Sequence, residues 1–316
     1  MGMSKEQVLV TGGLGYLGSV LCQHLLRAGY GVTVIDNFGS GRQGVVRRWA
    51  GECFRFVPGD ARDEGLMRTL VREADAIVPL AAVVGAPACA RLPGLARTVN
   101  LEAIRLLNRL RSPAQLVVFP GTECGYGIHT GAHRCTEETN LQPASLYARL
   151  KVEAEAELLG SPNTISLRLC TLFGPSPRMR LDSLVHHFVH AAVRNAYLQV
   201  FEESFKRNFV HIRDVAECIV HCIDKATGMR GHAFNVGNET MSVSKEELAA
   251  KIKRFVPRLS IHFSPAGTDP DQRNYTVSSG KLEATGFQVR CSLDRGIEEL
   301  VAWYRRKGEN PLRRIW

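Results

Sequence analysis

Tyr147 and Lys151 are four residues apart in a segment that could carry out acid–base chemistry. Residues 147–159 are rich in Ala, Glu and Leu, which predicts a helix with both side chains on one face. A free tyrosine has a pKa of about 10 and is a poor base at neutral pH. A nearby cation stabilises the phenolate, which can then remove the proton of a hydroxyl group. The pair therefore predicts proton transfer at an alcohol, although the same spacing also occurs by chance on helix surfaces.

A glycine-rich segment near the N-terminus has the spacing of a phosphate-binding turn. Residues 11–18 read TGGLGYLG, after a short apolar run and before a helical pattern. Glycines with this spacing allow a tight turn, close approach of the backbone to a pyrophosphate and packing of the helix on a sheet. The N-terminus of the helix would also face the phosphates. A dinucleotide is the predicted ligand, and a glycine-rich turn without a ligand is the alternative.

Asp36 is predicted to select between the two nicotinamide dinucleotides. It ends the second predicted strand, 18 residues after Gly18. Its carboxylate would accept hydrogen bonds from the ribose hydroxyls of adenosine and would repel a 2′-phosphate. The sequence therefore predicts NAD over NADP, and Arg42 could reach the same region and weaken that preference.

Strand and helix patterns alternate through the first half of the chain. Short apolar runs predict strands over 7–11, 32–35, 55–57, 76–81, 115–120 and 164–169. Apolar residues at helical spacing predict helices over 15–28, 92–110 and 147–159. The alternation is typical of a doubly wound parallel sheet, so the predicted fold class is α/β.

The pattern loosens after about residue 170, where GPSP at 174–177 marks a break. Helices are predicted over 182–196, 214–226, 244–255 and 293–305, the third of them opened by a capping box. We therefore predict a Rossmann-type domain of residues 1–170 plus about 209–238. A smaller, interleaved α/β domain for substrate binding would comprise about 171–208 plus 239–316.

Composition limits the classes of partner. The 316 residues carry a net charge of +9, from 40 Lys and Arg against 31 Asp and Glu. The basic residues are dispersed, which favours a small diphosphate ligand over nucleic acid. Nine cysteines without a Cys-x-x-Cys pair predict reduced core residues and no metal site. Since no apolar run could span a membrane and the first six residues are too polar for a signal peptide, a cytoplasmic protein without a membrane partner is expected.

The motif Thr-Gly-x-x-Gly-x-x-Gly, with Tyr-x-x-x-Lys further along, resembles the extended short-chain dehydrogenase/reductases. Among these, the chain is similar to the NAD-dependent nucleotide-sugar epimerases and dehydratases. The resemblance implies a Rossmann fold, NAD as cofactor, a nucleotide-diphosphate sugar as substrate and a homodimer. The cofactor contacts that it implies are Gly12, Leu14, Gly15, Tyr16, Leu17, Gly18, Asp36, Asn37, Asp60, Ala61, Leu80, Ala81, Ala82, Tyr147 and Lys151. Asn100 would support this set from its helix.

The same resemblance implies roles at the reacting hydroxyl. Thr122 and Tyr147 would bind one sugar hydroxyl, and Tyr147 would take its proton while C4 gives a hydride to NAD. Lys151 would hold the nicotinamide ribose.

The residues after Thr122 would decide the fate of the oxidised sugar. The 4,6-dehydratases of the family carry Thr-Asp-Glu where this chain carries Thr122, Glu123 and Cys124, which disfavours dehydration. The 3,5-epimerases carry a cysteine at the third position, and they use a His or Lys from a later segment. Cys124 and His186 are therefore the candidate acid–base pair for inversion at C5 or C3, and Glu123 is a further candidate for proton transfer. Packing roles for all three are the alternatives.

Arginines are the candidate ligands of the substrate diphosphate, because guanidinium forks suit phosphate oxygens. Arg207 and Arg273 match two family arginines in the resemblance, and Arg178 and Arg180 are further substrate-binding candidates. The stretches 80–89, 176–182, 201–208 and 269–286 look like a bacterial subgroup that includes NDP-heptose 4-dehydrogenases. A heptose or a mannose-type sugar is therefore the expected substrate.

The leading functional hypothesis is an epimerase with a transient 4-keto intermediate, which inverts C5, C3 or C4 and is reduced again by its own NADH. The main alternative is a 4-dehydrogenase that releases a 4-keto sugar. A 4,6-dehydratase and a non-catalytic, cofactor-binding regulator are less favoured, the second because Thr122, Tyr147 and Lys151 are all present.

Overall fold

The structure is a computed structural model. It describes residues 5–39, 49, 51, 53–129, 133–265, 267 and 274–306. Two of the sequence predictions, on Arg42 and Arg273, lie outside the described residues.

The described residues form strands and helices that alternate along the first half of the chain. The strands are β1 (Lys5–Thr11), β2 (Tyr30–Asp36), β3 (Phe54–Pro58), β4 (Ala76–Pro79), β5 (Leu116–Pro120), β6 (His133–Cys135), β7 (Thr164–Leu169), β8 (Thr171–Phe173), β9 (Tyr197–Val200), β10 (Lys206–His211), β11 (His232–Val236), β12 (Ser242–Ser244), β13 (Ser260–Phe263) and β14 (Tyr275–Val277). The α-helices are α1 (Gly18–Arg27), α2 (Glu64–Arg72), α3 (Ala86–Arg91), α4 (Pro93–Arg97), α5 (Ala103–Leu110), α6 (Leu146–Leu159), α7 (Leu184–Asn195), α8 (Ile212–Asp224), α9 (Lys245–Phe255), α10 (Gly280–Glu283) and α11 (Leu293–Arg306).

A seven-stranded parallel sheet organises the fold, in the order β11-β7-β5-β4-β1-β2-β3. Helices cover both faces, and successive side chains of a strand pack on opposite sides. In β1, Val8 and Val10 join the core that includes α1 and α8, while Leu9 joins the core that includes α2, α5 and α6. The predicted α/β fold class, a Rossmann-type doubly wound sheet, is confirmed.

A second hydrophobic core lies outside this sheet. It is formed mainly by α7, α9 and α11, with Val189, Ile252 and Ile297 fully buried in it. Its small sheet places β10 between the parallel β8 and the antiparallel β12. The chain enters this region after β7 and returns to the large sheet as β11, so both regions draw on separate segments. The exact domain boundaries remain a prediction.

Two predicted helices begin or continue differently in the structure. α1 begins at Gly18 and not at residue 15, because residues 12–15 form a turn closed by a hydrogen bond from Gly15 N to Gly12 O at 3.0 Å. The predicted helix 92–110 is instead α4, a π-helical turn (Thr98–Glu102) and α5. Asn100 lies in that wider turn, where its amide exchanges two hydrogen bonds with the backbone of Val83 (2.8 and 2.9 Å). Such π turns often occur near functional sites.

The predicted capping box is present at the start of α9. Ser244 accepts from the Glu247 backbone at 3.0 Å, and the Glu247 carboxylate accepts from the Ser244 backbone at 2.7 Å. Among the described residues, no helix combines the length and the apolar character that crossing a membrane requires.

Candidate active site

The glycine-rich turn between β1 and α1 is fixed by backbone contacts that exclude side chains. Gly12 has a φ of +68°, and a Cβ there would lie 2.7 Å from Ala81 N and 2.8 Å from Ala81 Cα. A Cβ at Gly18 would lie 2.6 Å from the Cα of Gly13. Only glycine fits both positions, because the clashing atoms belong to the backbone.

The start of α1 is left available for an anionic ligand. Among the described residues, no side chain caps its N-terminus, where Leu17 is the N-cap residue. The positive end of the helix dipole attracts phosphate at such a position. The buried Leu14 and the turn glycine Gly15 precede it. This cradle fits the pyrophosphate of NAD, and the prediction for the turn is consistent with its geometry.

Asp36 is held at the end of β2 by two backbone N–H groups. Its Oδ2 accepts from Leu14 N at 3.0 Å, and its Oδ1 accepts from Phe38 N at 2.9 Å. The side chain is only 8% exposed. Burial raises the pKa of Asp36, and the two N–H bonds partly offset that rise. The carboxylate is thus fixed beside the turn, where its remaining lone pairs can accept hydrogen bonds from ribose hydroxyls.

The adenine end of the predicted site is formed by the loops after β2 and β3. The exposed Asn37 donates to Asp60 Oδ2 at 3.1 Å. Arg62 donates to both oxygens of the Asp60 carboxylate, from Nε to Oδ1 at 2.9 Å and from Nη2 to Oδ2 at 2.7 Å. These hydrogen bonds hold the pKa of Asp60 well below its usual range. Ala61 packs half-buried against the neighbouring core. Sequence reasoning did not anticipate the Arg62 clamp.

The strand end after β4 forms the opposite wall of the glycine turn. Leu80 N donates to Thr11 O at 3.0 Å, and Ala81 N donates to Thr11 Oγ1 at 3.2 Å. Leu80, Ala81 and Ala82 are all half-buried. They therefore line a surface next to the turn, as expected for the side of a cofactor groove.

Thr122, Tyr147 and Lys151 come together at the carboxyl ends of the central strands. Thr122 lies just beyond β5, and its hydroxyl is close enough to Tyr147 to act on the pKa of that phenol. Tyr147 and Lys151 are one turn apart on α6, whose N-cap Ser145 accepts from Ala148 N. Lys151 Nζ donates to Pro120 O at 2.6 Å and lies 4.4 Å from the centroid of the Phe119 ring. The predicted constellation is thus assembled in one place.

The charges around this constellation determine its proton affinity. Burial raises the pKa of the Tyr147 hydroxyl, while the positive charge of Arg180 and the Thr122 hydrogen bond act in the opposite direction. Burial lowers the pKa of Lys151 to about 8, against the effect of the nearby Glu155 carboxylate. Arg180 is therefore a second cation, besides Lys151, that favours the phenolate form of Tyr147.

Cys124 and Glu123 follow Thr122 in a short 3₁₀ turn, and they have very different exposure. Cys124 is half-buried, its N–H donates to Thr122 Oγ1 at 3.2 Å, and its thiol is close enough to influence Tyr147. Glu123 is fully buried, and its Oε2 accepts from Asn208 Nδ2 at 2.9 Å. The geometry favours a structural role for Glu123 over the predicted proton transfer.

His186 lies inside the protein and not on an open face of the site. It is 0% exposed, its Nε2 lies 3.0 Å from the Tyr16 hydroxyl, and its Nδ1 lies 3.4 Å from the Tyr304 hydroxyl. Tyr16 also donates to Gly174 O at 2.8 Å. Burial, helped by Arg180, lowers the pKa of His186 to about 3, so the ring is neutral. This arrangement argues against the predicted pairing of His186 with Cys124, because both ring nitrogens already face tyrosine hydroxyls.

Three of the four arginines that are predicted to bind substrate lie within the described residues, and they occupy different places. Arg180 is 26% exposed, pairs with Asp182 through Nε (3.2 Å) and Nη2 (2.5 Å), and reaches to Gly85. Arg178 lies within the electrostatic range of Asp36. Arg207 is 4% exposed in β10, with Nη1 donating to Lys206 O at 3.2 Å. Arg180 lies within electrostatic range of Tyr147, and the substrate-binding roles of all three arginines remain predictions.

A buried ion pair behind the active site was missed by sequence reasoning. Arg168 of β7 binds both carboxylate oxygens of Glu155, at 2.8 Å from Nη2 to Oε1 and 3.4 Å from Nε to Oε2. Ser166 donates to Glu155 Oε2 at 2.6 Å. Glu155 lies one helical turn after Lys151, and this spacing was the available signal. The pair connects α6 to β7 one helical turn after Lys151.

Known proteins resemble this chain in sequence and in fold. A profile described as "NAD dependent epimerase/dehydratase family" matches residues 8–237. UDP-glucuronate 4-epimerase 2 of Arabidopsis thaliana is 27% identical, over 94% of this chain and 75% of the relative.

Two solved structures extend the likeness. The UDP-glucose 4-epimerase of Thermus thermophilus, in complex with NAD, is 25% identical with a TM-score of 0.80, over 95% of this chain and 99% of that one. DesIV, a dTDP-glucose 4,6-dehydratase from Streptomyces venezuelae with NAD bound, is 25% identical with a TM-score of 0.84, over 96% of this chain and 98% of that one. The expected cofactor, NAD, agrees with these structures and with the cradle described above. The chain belongs to the NAD-dependent epimerase/dehydratase family of nucleotide-sugar enzymes.

Proposed function

We propose that the chain is a nucleotide-sugar 4-epimerase that oxidises C4 of an NDP-linked heptose or mannose-type sugar and returns the hydrogen to the opposite face. The observation that carries this proposal is the joined set of Thr122, Tyr147 and Lys151, with the Arg180 charge beside Tyr147. This set provides one proton acceptor for one sugar hydroxyl. Inversion at C4 needs no second acid–base group, because the same group can take the proton and give it back. It does require the 4-keto sugar to turn over in the site, so that the hydride returns to the opposite face of C4.

Each of these residues has a separate task. Thr122 orients the sugar hydroxyl toward Tyr147, whose phenol lies close to the Thr122 hydroxyl. Tyr147 removes the hydroxyl proton, and the Arg180 charge lowers the cost of the phenolate. Lys151, fixed by Pro120 O, is placed to hold a ribose hydroxyl. NAD, when bound, accepts the hydride from C4 and later returns it.

Inversion at C5 or C3 is less well supported, because it needs a second proton-transfer group. Glu123 is bound to Asn208 inside the protein, and His186 faces two tyrosine hydroxyls. Cys124 is the described candidate that keeps some exposure. Elimination is disfavoured for the same reason, since Cys124 stands where the dehydratases have a carboxylate.

The proposed sugar class rests on the sequence. The stretches 80–89 and 176–182 resemble the heptose-oxidising subgroup. In the structure these stretches meet, because a Cβ at Gly85 would lie 3.9 Å from Arg180 Nη2. Cys89 and Arg180, one from each stretch, lie within electrostatic range of Tyr147, which supports a contact between these stretches and the sugar ring.

The test is a product analysis in D2O by NMR, with GDP- and ADP-linked mannose and manno-heptose and with a UDP-hexose for comparison. We expect a C4 epimer of the mannose-type or heptose substrate, no deuterium at C3 or C5, and no net formation of NADH. Tyr147→Phe should abolish turnover, and Tyr197→Phe, which changes an exposed tyrosine, should not. Deuterium at C3 or C5 that is lost in Cys124→Ser would overturn inversion at C4.

A 4-dehydrogenase is the second candidate function, and the internal contacts of His186 and Glu123 favour it equally. Such an enzyme needs the same Tyr147 base but releases the ketone and leaves NADH behind. Without an added acceptor, such an enzyme should form one 4-keto sugar and one NADH and then stop. An external hydride acceptor should reoxidise the NADH and allow many turnovers. This pair of results would establish the dehydrogenase in place of the epimerase.

A further inference from the structure

Two imidazoles and a thiol lie close together beside the 3₁₀ turn (Glu123–Tyr126) that follows Thr122. His133 and Cys135 are two residues apart in β6, so both side chains project from one side of the strand. His129 stacks on His133, with ring centroids 4.1 Å apart and ring planes only 7° from parallel. One nitrogen of each ring and the Cys135 Sγ all lie within 4.8 Å of one another.

We propose that His129, His133 and Cys135 form a binding site for a divalent transition-metal ion of the zinc class. Imidazole nitrogen and thiolate sulfur are ligands that zinc prefers, and three protein ligands leave a fourth position for water. In a tetrahedral zinc site the ligand atoms are about 3.3–3.8 Å apart, as expected from bond lengths of about 2.0–2.3 Å. Because a bound metal lies in the plane of each imidazole, the stacked His129 and His133 rings must rotate out of their parallel arrangement before both can bind one ion.

The surroundings fit this assignment. The carbonyl oxygen of Tyr126 lies 3.0 Å from His129 Nε2 and accepts its proton, which leaves the lone pair on Nδ1 for a metal. Such an outer hydrogen bond fixes the tautomer and orientation of metal-binding histidines in general. His133 is exposed, His129 is half-buried and Cys135 is fully buried, so an ion can enter from the His133 side. The Cys135 thiol gives its proton to solvent when its sulfur binds the ion.

The location gives the site a structural consequence. Tyr126 ends the 3₁₀ turn (Glu123–Tyr126) that follows Thr122, and β6 pairs with β14 through Tyr275–Val277. The Tyr275 hydroxyl donates to Glu123 O at 2.8 Å. A bound ion would tie His129, just after this turn, to the strand that already holds the turn from the other side.

A second cluster of potential ligands in the described part of the chain does not have these properties. His211, Asp214 and Cys291 are all buried, and the Nε2 atom of His211 lies 3.4 Å from the Glu299 carboxylate. Asp214 accepts from the backbones of Arg290 and Cys291, and His211 Nδ1 accepts from Arg213 N. We therefore assign a metal only to the His129, His133 and Cys135 cluster.

The test uses the full chain without an affinity tag, titrated with Co²⁺ as an optical probe and with Zn²⁺ as a competitor. We expect one Co²⁺ per chain, a thiolate-to-cobalt charge-transfer band, and loss of that band when Zn²⁺ is added. Cys135→Ser should abolish the band. His133→Ala, at an exposed position that does not threaten folding, should weaken binding at least about 10-fold, since even indirect supports of metal ligands are worth about 10–100-fold.

Two matched controls separate a built site from chance binding. Cys53→Ser removes an exposed thiol, and His262→Ala removes an exposed imidazole in β13. Both should leave the stoichiometry and the band unchanged. The proposal is overturned if no stoichiometric binding occurs, if His133→Ala and Cys135→Ser bind Co²⁺ like the unchanged protein, or if only Cys53→Ser loses the band.

Discussion

Asp36 ends β2 and Glu123 lies three residues beyond β5 of the same parallel sheet, and both are buried, but their carboxylates have different partners. Asp36 binds the backbone of Leu14 and Phe38, so one partner is in the glycine turn and the other is two residues away. Glu123 binds the side chain of Asn208, 85 residues further along the chain. The cofactor region is thus shaped mainly by local backbone, whereas the region of the reacting hydroxyl is shaped by side chains from distant elements.

The two regions therefore constrain the sequence in different ways. In the cofactor region, the backbone needs particular residue types, above all glycine at position 12. Around the reacting hydroxyl, Glu123 and His186 have chemically capable side chains whose remote partners hold them inside the protein. Variants that change one region at a time can test this difference.

The largest effect is expected for Tyr147→Phe. Removal of the proton acceptor should lower kcat by about 10²–10⁴-fold, the usual contribution of a general base. NAD binding and thermal stability should change little, because the glycine turn and the sheet do not depend on this hydroxyl. Turnover by stopped assay and NAD binding by calorimetry, both compared with Tyr197→Phe, measure the two effects. Retained turnover would mean that another group takes the proton.

Gly12→Ala should be the most damaging small change in the cofactor region. An alanine at φ +68° is strained, and its Cβ would press on the Ala81 backbone at 2.7 Å. We expect a loss of about 2–4 kcal/mol in unfolding free energy, from strain and overpacking together, and weaker NAD binding.

Gly29→Ala is the matched control for that variant. Gly29 also has a positive φ, of +88°, but a Cβ there meets no described atom within 4 Å. It should cost only the strain of about 1–2 kcal/mol, with NAD binding unchanged. Urea unfolding of the two variants isolates the contact with Ala81, and equal losses would show that this contact is unimportant.

The buried His186 makes the unfolding free energy of the protein depend on pH. Its pKa is about 3 in the folded protein, against about 6.5 for a free histidine. Below a pH of about 6.5 the unfolded chain binds a proton at His186, whereas the folded protein binds it only near pH 3. The free energy of unfolding therefore decreases as the pH falls between these two values. The expected slope from this group is about 1.4 kcal/mol per pH unit.

Urea unfolding between pH 7 and pH 4 measures this slope. His186→Gln should reduce it by one proton, whereas His262→Gln, at an exposed site, should not. An unchanged slope in His186→Gln would mean that the ring is protonated in the folded protein. In that case, His186 would again be a candidate for acid–base chemistry.

The sequence allows prediction of those parts of the site that depend on nearby residues. The alternation of β1, turn, α1 and β2 leads directly to Asp36, and the spacing of Tyr147 and Lys151 places both on one face of α6. The internal contacts of His186 are another matter, because Tyr16 lies 170 residues before it and Tyr304 lies 118 residues after it. Pairings over such separations depend on how the second core packs on the sheet, and one sequence contains no local signal for that packing. The partner of Glu123 was missed for the same reason.

The smallest effect is expected for Asp36→Asn, and it tests whether the cofactor region selects its ligand by charge. Both carboxylate oxygens accept backbone N–H groups, so an amide would turn its NH₂ toward one donor and lose about 1 kcal/mol of stability. Loss of the negative charge should narrow the preference for NAD over NADP by about 10-fold, which corresponds to about 1.4 kcal/mol. Asp60→Asn is the control, because that carboxylate is already paired with Arg62 and should not affect a 2′-phosphate. If calorimetry gave the same NAD to NADP ratio for Asp36→Asn as for the unchanged protein, Asp36 would serve the turn alone, and the selection of NAD would have to come from another residue.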